Sequence, residues 1–130
     1  MKYIYTATFS IGKDGTVYAS VPDLKGCIST AKNLDDAINM ITDAASVWLV
    51  TAEDEGLDIA PATPQEQLKS RQSDAMSLIR IDTIEYRART DTKSVRKNVS
   101  LPAWMAYLAD KRGINCSKVL QDGLLEAFER

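Results

Sequence analysis

A chain of 130 residues, 45% hydrophobic and 26% charged, is long enough for one ordinary domain or two small ones, and its composition excludes wholesale disorder. It holds no histidine, which removes catalytic triads, histidine bases and histidine-rich metal sites. Its net charge of −2 hides a split: residues 1–86 carry seven Lys/Arg and thirteen Asp/Glu, residues 87–130 nine and five, so the tail suits nucleic acid and the body a basic partner.

From the start, Tyr3, Tyr5, Ala7, Phe9 and Ile11 share one face of an alternating segment, with Thr6, Thr8 and Ser10 on the other; this is a strand. Gly12-Lys13-Asp14-Gly15 is a turn signal, and Thr16–Val21 resumes the alternation, so the opening is a β-hairpin. Pro22–Gly26 breaks it, and Cys27–Ala31 gives a short third strand. Asn33 caps a long amphipathic helix with Asp35 and Asp36 in its first turn. Leu34, Ile38, Ile41, Ala45, Trp48, Leu49 and Ala52 form its apolar stripe, and Gly56 ends it. Ile59 to Ser73 reads as a loop or short helical turn, and Met76–Ile81 as a fourth strand. Together these make an α+β layer, with the helix packed on one face of the sheet.

Residues 83–93 are polar, mixed in charge and without an apolar period, and read as a linker. In Ser94–Pro102, Val95, Val99 and Leu101 fall on one face with Lys97 as the polar intruder, and Arg96, Asn98 and Ser100 on the other. This strand has no neighbour to pair with, so a second copy of the chain is the economical partner. The resulting ribbon presents Arg, Asn and Ser in duplicate, side chains suited to base edges in the major groove. Two helices follow. Pro102 opens the first, with Trp104, Met105 and Leu108 inward, and Gly113 ends it. Asn115 caps the second, whose inward positions are Val119, Leu120, Leu124, Ala127 and Phe128, with Gly123 allowing close helix approach. Asn115, Ser117 and Lys118 stand where a helix start suits a phosphate.

Cys27 and Cys116 belong to no CxxC pattern, which suggests a reduced cytoplasmic protein. The first residues alternate instead of forming a signal peptide, and no apolar run reaches membrane length. No metal or cofactor is implied. The first strand contains no acid, so Asp23, Asp35 and Asp36 are the nearest carboxylates to a nuclease site, and they read better as turn and cap residues. Trp48 and Trp104 read as core residues, whereas Tyr18 reads as exposed.

The succession Val21-Pro22-Asp23-Leu24-Lys25-Gly26-Cys27, then Asn33-Leu34-Asp35-Asp36-Ala37, resembles the HicB family of bacterial antitoxins over residues 1–82. Trp48-Leu49 fill the family's Trp-Leu place near the helix end, and Lys25 departs from its usual proline. The tail, with Asn98-Val99-Ser100-Leu101-Pro102 and Gly113-Ile114-Asn115-Cys116-Ser117-Lys118, resembles ribbon-helix-helix repressor domains. The resemblance implies a small degenerate ribonuclease-H-like β-β-β-α-β domain at 1–82, a linker at 83–93 and a ribbon-helix-helix dimerisation domain at 94–130. It also implies a non-enzymatic type II antitoxin that neutralises a small basic HicA-like mRNA-cleaving toxin. Such a protein represses its own operon by binding operator DNA. The homodimer forms through the tail, and pairing of bodies gives a tetramer. Arg96, Asn98 and Ser100 would then contact bases, while the toxin-binding residues are not placed by the sequence. The alternative is a ribbon-helix-helix repressor whose body binds a small molecule or another protein.

Overall fold

The alternation of Tyr5, Ala7 and Phe9 with hydroxyl residues is realised as a ten-residue strand, β1 (Lys2–Ile11), in the computed structural model, which describes residues 1–68 and 75–129. The turn after β1 is closed by the Gly12 N–H donating to the Thr16 carbonyl at 2.8 Å. Gly15 sits there at φ 87°, a left-handed conformation that glycine adopts without a Cβ clash. β2 (Val17–Ser20) therefore returns antiparallel to β1, and β3 (Ile28–Ala31) pairs antiparallel with β2. β4 (Ala75–Asp82) lines the other side of β1, again antiparallel, from Lys2 opposite Asp82 to Phe9 opposite Ala75. The sheet order is β3-β2-β1-β4, so the first strand of the chain lies inside it.

Helix α1 (Leu34–Glu55) starts where Asn33 Oδ1 accepts the Asp36 N–H at 2.8 Å, and it stops at Gly56, φ 67°. Its buried stripe is Ala37, Ile41, Ala45, Leu49 and Ala52, and it covers the sheet face that presents Tyr5, Ala7, Phe9, Val17, Ala19, Ile79 and Ile81. Three members expected in that stripe differ, one of them Ile38, which is only partly buried. Leu34, in the first turn, is exposed, and Trp48 is half-buried at the core margin, where its Nε1 donates to the Lys25 carbonyl at 3.0 Å. Among the described residues of the predicted loop, 59–68, one 3₁₀ turn forms, Gln65–Gln67; residues 69–73 of that loop lie outside the described residues.

Thr6 lies on the strand face opposite Tyr5 and Ala7, as expected, yet it is buried, and its Oγ1 has no hydrogen-bond partner among the described residues. A buried hydroxyl left unpaired costs about 1–3 kcal/mol relative to a satisfied one. Thr6→Val keeps the β-branched shape and removes the orphan oxygen. It should raise the unfolding free energy by about 1 kcal/mol in a denaturant titration, and a loss of stability would show that the hydroxyl is satisfied.

The predicted linker is shorter than expected, because its first eight residues form a helix, α2 (Thr83–Thr90). Asp82 Oδ1 caps it, accepting the N–H groups of Ile84 and Glu85 at 3.0 and 3.2 Å. Thr83 is fully buried, and Arg87 reaches back to α1. A cap and ion pairs hold this helix, and neither leaves an apolar period in the sequence.

The chain divides into two compact units, Lys2–Asp91 and Thr92–Arg130. In the second, residues 92–102 carry no regular secondary structure; α3 (Ala103–Lys111) and α4 (Cys116–Phe128) follow. Pro102 stands at the N-cap position of α3, so the helix starts one residue later than expected. Gly113, φ 64°, ends α3 in a Schellman turn: the Ile114 N–H donates to the Ala109 carbonyl at 2.9 Å and the Gly113 N–H to the Asp110 carbonyl at 3.2 Å.

Candidate functional site

In the second unit the segment 92–101 has no regular secondary structure. None of its backbone groups takes part in a backbone hydrogen bond among the described residues. Arg96, Asn98 and Ser100 are exposed, and so are the apolar residues between them, with Val95 82% accessible. The helices repeat the pattern. No described residue of α3 or α4 is buried; Trp104, read as a core residue, is 63% accessible, and Met105, Leu108, Leu120, Leu124 and Phe128 are exposed as well. Trp104 thus has no core to enter within one chain. A Cβ added at Gly123 would touch nothing, so that face of α4 is open. The unit is shorter than about 40 residues, a length at which a single chain rarely buries enough apolar surface to fold alone.

The start of α4 is where Asn115, Ser117 and Lys118 were expected, and the three stand together there. Asn115 Oδ1 accepts the Lys118 N–H at 3.1 Å, which confirms the cap. Lys118 Nζ is 3.6 Å from Asp122 in an exposed pair one turn along, too weak and solvated to hold the ammonium away from another anion.

In the first unit the carboxylates weighed as a nuclease site have local tasks. Asp23 accepts the Thr63 N–H at 2.9 Å and the Thr63 hydroxyl at 2.6 Å, pinning the Pro22–Gly26 turn to the segment after α1. Asp36 Oδ2 accepts from Asn33 Nδ2 at 3.2 Å, and Asp35 is exposed in the first turn. No cluster of three or more His, Cys, Asp or Glu side chains converges among the described residues. Burial raises the Cys27 thiol, whereas Cys116 lies exposed at the start of α4; both are free.

Glu53 is the polar hinge of this unit. It accepts from Tyr3 Oη at 2.8 Å and from Thr83 Oγ1 at 3.0 Å, and Arg87 lies 3.2 Å from it and 2.8 Å from Asp54. Burial first, and then the hydrogen bond to Glu53, push the Tyr3 phenol up to about 12. The folded state therefore keeps a proton that the unfolded chain gives up near pH 10, so stability is full below pH 10 and falls as pH rises towards 12. Tyr5 shifts in the same direction through burial and Asp23. Tyr3→Phe should flatten part of the fall in thermal midpoint between pH 10 and 12; an unchanged slope would remove Tyr3 from the account.

One feature of this unit went unread in the sequence. Along its 22 residues α1 carries six Asp/Glu and no Lys/Arg. Beside it lies an apolar groove of about 370 Å³, lined by Cys27, Ile28, Val47, Trp48 and Leu57 among others. The signal was available in Val47, an exposed apolar residue that falls off the core stripe and lines the groove; Met40, also exposed, borders a different cleft, beside Ile28 and Tyr18.

Comparison with known proteins adds the frame for these surfaces. Residues 5–121 match the family model described as HicB_like antitoxin of bacterial toxin-antitoxin system, and so span both units. A search of curated proteins gave no match. Among solved structures, a chain of a toxin–antitoxin complex from Streptococcus pneumoniae superposes with a TM-score of 0.62 at 16% identity, over 98% of this chain and 99% of that one. The Burkholderia pseudomallei antitoxin HicB superposes with a TM-score of 0.52 at 21% identity, over 98% of this chain and 97% of that one. These likenesses support the α+β fold, and the family match extends along most of the sequence. The chain belongs to the HicB-like antitoxins of bacterial toxin–antitoxin systems.

Proposed function

We propose that this antitoxin binds and neutralises a HicA-like, mRNA-cleaving toxin through its first unit and represses its own operon through its second. On this reading the first unit is a degenerate ribonuclease-H-like domain that acts by binding and not by catalysis, and the second is a ribbon-helix-helix domain. The observation that carries it is the state of residues 92–129: two capped helices with no buried residue, preceded by a segment with no backbone pairing. A second copy supplies both missing partners at once. Antiparallel pairing of 94–101 satisfies the backbone, and four helices enclose the apolar faces. Pairing of the first units in turn gives a tetramer.

The two-fold ribbon then presents Arg96, Asn98 and Ser100 to the major groove of a pseudo-palindromic operator. Arg suits guanine, Asn suits adenine and Ser suits either edge. The start of α4, with Ser117 and Lys118, meets phosphate, and Asn115 keeps that helix start in place. Anisotropy titration of the full chain against the DNA upstream of its own reading frame tests this. Binding should be saturable and should discriminate against scrambled DNA; equal binding to both would remove the repressor reading. In the same assay Lys118→Ala should weaken binding to every sequence alike and lower the slope of log K against log salt by about one unit. A slope that does not move would take Lys118 off the phosphate.

A further inference from the structure

We propose that the groove between α1 and the Gly26–Ile28 segment, with the acidic stripe beside it, is the seat of the toxin, accepting an apolar anchor from a cation-rich protein surface. This deepens the reading that the first unit carries the toxin and rests on it. Three observations place the seat. The groove has an exposed apolar rim, with Val47 46% accessible and Leu57 open beside it, and Trp48 half-buried in its wall, while Ile28 borders both this groove and the cleft on the opposite sheet face. Isolated exposed apolar residues are ordinary, but an apolar cleft with an aromatic wall and a polar rim is how interface anchors are received.

The second observation is charge. Asp36, Asp43 and Asp54 follow one another along the outer face of α1, beside Met40 and Val47, and Glu55 and Asp58 stand at its exit. Of these only Asp54 has an ion pair among the described residues, with Arg87. A protein that acts on RNA must present cations to phosphates, and that surface is complementary to this stripe. A second copy of the same face would meet it with like charge.

The third is the contrast with the other uncovered surface of the unit. The sheet face opposite α1 also exposes apolar residues, including Ile4, Tyr18 and Leu78, yet around them stand hydroxyls together with Lys2, Arg80 and a single acid, Asp82, which caps α2. Two cations against one acid make that face a poorer match for a cationic partner than the stripe on α1.

The test uses the full chain and the purified protein product of the adjacent reading frame. Affinities are measured at low and physiological salt, with thermal midpoints and operator binding as controls for folding. Val47→Arg and Leu57→Arg alter side chains that are already exposed, and each should raise the dissociation constant by about 30-fold or more. Asp43→Lys should raise it by about 5-fold and reduce its salt dependence. Tyr18→Arg, on the sheet face, should leave it unchanged. Val47→Arg and Leu57→Arg proteins that bind as the wild type does would overturn the seat, as would a larger loss from Tyr18→Arg. Failure of the wild type itself to bind would instead bring down the toxin reading on which the seat depends.

Discussion

Leu124→Asp should convert the protein to a single-chain species and abolish operator binding, while the first unit stays folded. Within one chain Leu124 is exposed in α4, and an exposed substitution of this kind ordinarily changes stability by less than about 0.5 kcal/mol. If a second copy covers α4, the same change places an unpaired carboxylate in the dimer interior. Truncating a buried leucine to alanine already costs about 2–5 kcal/mol, and an uncompensated charge costs more. The two outcomes differ by orders of magnitude in the dimer dissociation constant, so sedimentation of the variant decides between them. DNA binding follows the dimer, because one half-site contact set cannot match a two-fold operator. A Leu124→Asp protein that sediments as the wild type does would show that α4 faces solvent.

The second large effect is on sequence discrimination. Arg96→Ala and Asn98→Ala each remove a side chain capable of a bidentate base contact, worth about 1–3 kcal/mol against the wrong base pair. Two-fold symmetry places each substitution twice in the complex. The expected result is a large fall in the ratio of operator to scrambled-DNA affinity, with binding to scrambled DNA falling least for Asn98→Ala, which removes no charge. Arg96 and Asn98 are exposed and unpaired in the single chain, so neither change should move the thermal midpoint. Discrimination equal to wild type in both variants would mean that the ribbon does not read bases.

The parts of the fold visible in the sequence are those where one local signal suffices. The Asn33 cap, the Ile41–Ala45–Leu49 stripe and the Gly56 stop define α1 without help from elsewhere, and the Schellman turn at Gly113 is equally local. Helix α2 was not visible because its support is tertiary. Arg87 pairs with Glu53 and Asp54 across more than thirty positions, and only the folded sheet brings Tyr3 to the same carboxylate. Alternation gives the face that Thr6 takes, but not how deeply that face is covered, and Thr6 is buried. Asp23 was read as a turn residue, and its bond to Thr63 is invisible to any window. Residues 94–101 alternate as a strand would, yet the single chain gives them no backbone partner, so the proposed base contacts of Arg96, Asn98 and Ser100 depend on a second copy. The groove beside α1 was harder: a stripe of acids next to Met40 and Val47 reads equally well as a solvated helix face until the loop carrying Cys27 and Ile28 is seen beside it.

Neutralisation of a toxin by this chain is tested most directly by a growth assay. The product of the adjacent reading frame is induced alone and then together with this protein. Arrest by the neighbour alone, relieved by the full chain and accompanied by a complex that survives purification, is the predicted result. An adjacent product that does not arrest growth, or arrest that persists with this chain in excess, would contradict it.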